Sequence, residues 1–238
     1  MLWSNSLINR DLPRFISLKA IAAGFALSLS VVVALPASAV VSIDSPSSYQ
    51  VVVNKARPLN PIKYAPSDLV YVPKAFNPKA RMVRSKVSQA LVAMGNAMKL
   101  SAGRTLVIDS GYRSYSVQKT VHDQKVALLG LVRGENLAAR PGFSEHQTGL
   151  AVDLSAVGAS GLSTSFASTV AGKWLASNAY KYGFVMRYPR GYTDITGYQW
   201  EPWHFRYVGL SVATAMHNAH IATLEQYFSL PNAPSYLN

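Results

Sequence analysis

The sequence predicts an α+β domain: a small, largely antiparallel sheet flanked by helices. Short β-branched runs and segments with the helical apolar period follow one another without the regular alternation that a parallel sheet requires. Of the 238 residues, 49% are apolar, enough for one hydrophobic core. There is no cysteine, so that core must hold without covalent staples.

Residues 1–39 read as a signal peptide. Arg10, Arg14 and Lys19 precede an uncharged apolar run from Ala20 to Leu35, and Pro36-Ala37-Ser38-Ala39 supplies the small residues of a cleavage site. The run falls short of the roughly 20 residues that a spanning helix needs, which favours cleavage after Ala39 over an uncleaved membrane anchor. Residues 40–50 are rich in Ser and Pro and suit a linker, and residues 51–230 form the folded domain.

Within that domain, Val51 to Tyr71 holds one β-branched run and then Pro58, Pro61 and Pro66, which predicts a short strand followed by an extended arm. Val83, Val87, Leu91, Met94 and Met98 recur at helical spacing and predict a core helix over 77–102, stopped by Gly103. TLVID, Thr105 to Asp109, is a buried strand that delivers the chain to a glycine turn at residues 110–115. A helix over 116–131 with Ser116 as N-cap follows. Gly142 to Gly149 is a polar loop, and LAVDL, residues 150–154, is a strand in which Ala151 and Asp153 share a face. A helix over 172–182, a loop over 187–198, a strand over 201–208 and a closing helix over 211–224 complete the domain.

Composition narrows the chemistry. Without cysteine there is no thiolate metal ligand, cysteine nucleophile or lipoprotein anchor, so any metal falls to His, Asp or Glu. The formal net charge is +12, and the leader carries three basic residues and one acidic residue, which leaves +10. An exported protein of that charge is drawn to anionic wall polymers or lipid surfaces, although a merely solvated basic surface fits equally well. Nucleic acid is set aside because the basic residues are scattered and the leader directs the chain away from it.

Five histidines occur, so those beside carboxylates are the first to consider. SEHQTGLAVD places His146 and Asp153 seven residues apart across Gly149, and EPWH places Glu201 three residues before His204. Two imidazoles and two carboxylates match the needs of a hydrolytic zinc site, which takes three ligands, an open position and a base. Asp153 is the better ligand, since its apolar setting makes an unpaired charge costly. Glu201 and His204 have opposite parity and would face opposite sides of a regular strand, so Pro202 is expected to break it. His122, His217 and His220 lack a carboxylate at ligand spacing and read as surface groups. Trp200, Trp203 and the tyrosines over 182–207 fit either a cleft wall or core packing.

SEHQTGLAVD and EPWH, a highly specific pair, together with SGYRSYSVQ and VVVNKARPL, resemble the motifs of the VanY-type D-alanyl-D-alanine carboxypeptidases, zinc D,D-peptidases that share a fold with the Hedgehog signalling domain. The likeness runs from about residue 51 to residue 210. It implies that His146, Asp153 and His204 hold one zinc ion and that Glu201 takes a proton from the attacking water. It implies too that Arg113 steadies the carbonyl oxygen and that Gln118 and Ser144 hold substrate. The implied substrate is the carboxyl end of peptidoglycan stem peptides, cut by a monomer outside the cytoplasmic membrane. An L,D-carboxypeptidase or endopeptidase of the same fold, and a non-catalytic zinc-containing wall-binding module, are the alternatives. Glu201 argues against the last, because a structural site needs no base and is closed by a fourth ligand.

Overall fold

The computed structural model describes residues 42–74, 76, 78–159 and 162–237. The expected signal peptide lies outside the described residues. Among those described, no helix is long and apolar enough to cross a membrane.

A four-stranded, wholly antiparallel sheet runs in the order β3-β4-β6-β5, with β3 Leu106–Ser110, β4 Ala151–Ala156, β5 Phe184–Met186 and β6 His204–Tyr207. A two-stranded ribbon, β1 Leu69–Tyr71 and β2 Met82–Arg84, stands apart from it. Helix α1, Ser85–Ala102, buries Val87, Leu91, Met94 and Met98 without exposure. Each of these side chains contributes roughly 1.5–3 kcal/mol by leaving water. Phe166, Leu175, Phe184 and Phe205 join them in one core. The predicted α+β class is therefore observed.

Several boundaries differ from expectation. The helix over 77–102 begins only at Ser85, because residues 82–84 pair with β1, and Val83 reaches the core from a strand. Val51, Val52 and Val53 are buried without forming a strand. Helix α2, Tyr115–Leu129, is capped two residues earlier than predicted: Ser114 Oγ accepts the Val117 N–H. Gly130, at φ 77°, breaks it from α3, Leu131–Glu135. The predicted helix over 172–182 is α4, Val170–Asn178, continued by a 3₁₀ turn to Tyr182. The loop over 187–198 contains the short α5, Thr193–Thr196, and the closing helix is divided into α6, Leu210–Asn218, and α7, Leu224–Tyr227. Residues 42–50 lie on the domain: Arg84 donates to the Ser47 carbonyl and Gln50 to that of Val208.

Candidate active site

The site forms where β4 and β6 pair. Asp153 stands directly opposite His204 in the antiparallel register, so a contact 51 residues apart in sequence follows from strand pairing alone. β6 begins at His204, and Glu201 lies in the turn before it, where the His204 N–H donates to the Glu201 carbonyl. The parity conflict thus disappears, because only one of the two residues is on the strand.

His146 arrives from the other side, on a 3₁₀ turn over Glu145–Thr148. Gln147 ties that turn to the arm, donating to the carbonyls of Ile62 and Tyr64 and accepting from the Gly142 N–H. Gly149 ends the turn at φ 67°, and a Cβ there would lie 2.9 Å from Arg84 Cγ and 3.1 Å from Leu69 Cδ2. Gly149→Ala is expected to cost roughly 1–2 kcal/mol from backbone handedness alone, with steric displacement added. An unchanged denaturant midpoint would show that the turn does not need glycine.

His146 Nε2 lies 3.3 Å from one Asp153 oxygen and His204 Nδ1 lies 3.1 Å from the other. With ligand bonds of about 2.0–2.2 Å, neighbouring donors in a tetrahedral zinc site stand about 3.3 Å apart, and each ring nitrogen is that close to a different Asp153 oxygen. One donor atom from each lies within 4.8 Å of the others, and all three residues are buried. His146 Nδ1 faces the Gly111 carbonyl at 2.8 Å, which leaves Nε2 free to face the donor set.

The electrostatics of the metal-free site differ between the two rings. Burial, followed by the Arg113 charge, lowers the His146 pKa to about 4, so the ring is neutral. Burial opposes the charge on His204, but Asp153 and Glu145 override it and raise its pKa to about 9. Asp153 is likewise held well below the carboxylate range by the two histidines despite its burial. Burial raises Glu201 to about 8, with Asp153 adding to the shift and His204 and Arg113 opposing it.

A cleft of about 350 Å³ opens over these groups, walled by Val121, Leu137, Ala138, Tyr188, Tyr198 and Trp203. Arg113, Ser144 and Glu201 line it, and the Arg113 Nε has no hydrogen-bond partner among the described residues. Gln118 has no hydrogen-bond partner for its Oε1 among the described residues. It is fully buried, does not line the cleft, and donates to the Ala139 carbonyl at 2.8 Å, holding the wall from behind.

Sequence reasoning gave no role to Glu145, Arg187 or Arg206. Both arginines are fully buried and both donate to Glu145 Oε1 at 2.8 Å. Arg187 also makes a bidentate pair with Glu225, at 2.8 and 2.6 Å. The signal was available in FVMRY and HFRY, where a charge among apolar residues demands a buried partner. Trp203 does line the cleft, and Tyr188 packs on the His204 ring at 4.7 Å. His122 is not a free surface group: it sits between Asp123 and Glu135. His217 stacks on Tyr180.

Two histidines and an aspartate converging under an open cleft, with a carboxylic acid and a guanidinium beside them, define a metallohydrolase that uses a single divalent ion. The sequence profile of the VanY D-alanyl-D-alanine carboxypeptidases matches residues 80–210, and the chain belongs to that family. It is 44% identical over 192 residues to YodJ of Bacillus subtilis (strain 168), which carries a carboxypeptidase name, covering 79% of this chain and 69% of that protein. Among solved structures it resembles the LD-carboxypeptidase LdcB, with a TM-score of 0.71 and 42% identity, covering 79% of this chain and 88% of that one. It also resembles the vancomycin-resistance D,D-pentapeptidase VanY, crystallised with Zn(II), with a TM-score of 0.64 and 32% identity over 75% of this chain and 97% of that one.

Proposed function

We propose that this chain is an exported zinc carboxypeptidase that removes the C-terminal D-alanine from peptidoglycan stem peptides. The observation that carries the reading is the His146-Asp153-His204 donor set beside Glu201 and Arg113 in one cleft. Bound zinc supplies a Lewis acid and a nucleophilic water at neutral pH. Glu201, which lines the cleft beside the donor set, takes the proton of the attacking water and returns it to the leaving amine. Arg113 donates from its free Nε to the carbonyl oxygen as that oxygen gains charge. Ser144 contacts the substrate directly, and Gln118 shapes the Ala139 wall. Residues 1–39 direct export, and the basic surface favours an anionic wall.

Preference for an L,D bond is the second reading, favoured by the greater likeness to LdcB than to VanY. The test is D-alanine release by purified protein from a pentapeptide stem and from a tetrapeptide stem, with zinc and with chelator. Zinc-dependent release from the pentapeptide supports the first reading, release from the tetrapeptide alone supports the second, and release from neither sinks both.

Metal uptake has a pH signature. In the metal-free protein His204 keeps its proton up to about pH 9, and it must lose one proton to become a ligand. Zinc affinity is therefore expected to rise about tenfold per pH unit from pH 6 to 8 and to weaken as pH falls. Calorimetric titration in buffers of different ionisation enthalpy reads the released proton, and a pH-independent affinity would contradict the assignment.

A further inference from the structure

We propose that Glu145 is a positioning residue of the metal centre: it holds the Nε2 proton of His204 and thereby commits Nδ1 to the metal. The inference rests on reading His146, Asp153 and His204 as ligands.

The two carboxylate oxygens of Glu145 have different surroundings. Oε1 accepts from both Arg187 Nε and Arg206 Nη1, each at 2.8 Å. Oε2 is buried, has no hydrogen-bond partner among the described residues, and faces His204 Nε2 at 3.6 Å. That nitrogen is buried and unpartnered as well. Two orphaned polar atoms of opposite hydrogen-bonding character, enclosed together, form a pair that a shift of about half an ångström closes into a hydrogen bond.

A neutral imidazole has one N–H. With Glu145 accepting at Nε2, that proton stays in place, and the proton lost on metal uptake is the one Nδ1 directs at Asp153, which frees the Nδ1 lone pair for the metal. His146 is arranged in the opposite sense: its Nδ1 faces the Gly111 carbonyl and Nε2 points inward. The two histidines thus present different ring nitrogens, each chosen by the acceptor behind it. Glu145 is itself locked by neighbours outside the cleft. Arg206 projects from the same face of β6 as His204 and stands opposite the small Ala151, while Arg187 is anchored by Glu225, which also accepts from Asn54.

Glu145→Gln tests the assignment with almost no change in shape. Both arginines only donate, so the amide oxygen must face them and the amide NH₂ must face His204 Nε2. The His204 proton is then driven to Nδ1, the ligand atom. Zn²⁺ affinity, measured by competition with a chromophoric chelator on folded protein, is expected to fall about 10–100-fold, and the Co²⁺ absorption bands to change. An affinity and spectrum equal to wild type overturn the proposal, because a purely structural carboxylate would alter only stability.

The wild type gives a second reading that does not depend on the variant folding. Long-range ¹H–¹⁵N correlation spectra of the zinc-loaded protein are expected to show His204 protonated at Nε2 and His146 at Nδ1. Protonation of His204 at Nδ1 overturns the proposal even if the enzyme is active, whereas a wild type that takes up no zinc overturns the ligand reading beneath it.

Discussion

Glu201→Gln is expected to lower kcat by about 10²–10⁴-fold while the protein still binds one equivalent of zinc. The carboxylate lies 3.7 Å from His204 Nδ1, beside the donor set, and lines the open cleft. In the metal-free protein burial raises its pKa to about 8, and a divalent ion in the neighbouring donor set would favour the ionised form that a base requires. Glutamine keeps the size and removes the proton chemistry. Because Glu201 is placed outside the three ligands, metal content is the discriminating measurement. Loss of zinc along with activity would make it a ligand, and a fall of less than tenfold in kcat would remove it from the mechanism. His204 and Asp153 variants, in contrast, are expected to lose metal and activity together.

Arg187→Met is expected to destabilise the fold by roughly 3–5 kcal/mol, because it leaves buried carboxylates short of their partner. Arg187 is fully enclosed and joins Glu145 on one side to Glu225 on the other through three hydrogen bonds. The two guanidiniums hold Glu145 well below the ordinary carboxylate range against the opposing effect of burial. Arg206 still reaches Glu145 in the variant, but among the described residues the charge of Glu225 retains only Asn54 as a side-chain hydrogen-bond donor, at 2.9 Å. For a domain of this size the loss corresponds to a fall in Tm on the order of 10 °C. The melt is best followed with chelator present, since bound metal would mask part of the effect. Lys119→Ala, which breaks an exposed pair with Asp123, is expected to leave Tm where it is. Equal shifts for the two variants would show that the buried network adds nothing to stability.

The boundary errors at α1 share a cause. Val83 continues the apolar period of the helix, yet Met82–Arg84 extends to pair with Leu69–Tyr71. Periodicity records which side chains are buried, and a strand beside a helix can bury the next residue in the same pattern. The valines at 51–53 show the converse, since β-branched residues without a strand partner are buried as coil. The full burial of Gln118 and its bond to the Ala139 carbonyl depend on the packing of α2, which no local pattern encodes.

The sequence by itself determined the α+β class, the restriction of metal binding to His and carboxylate, and the identity of His146, Asp153, His204 and Glu201 as the residues to examine, with Arg113 added only by the family resemblance. It could do so because residue chemistry and short spacings are local properties. Tertiary structure alone decided that Asp153 pairs with His204 across β4 and β6, which ring nitrogen each histidine turns inward, and that Glu145 is clamped by Arg187 and Arg206. Those relations depend on strand register and on which charges are enclosed together, and both are set only when distant segments pack against one another.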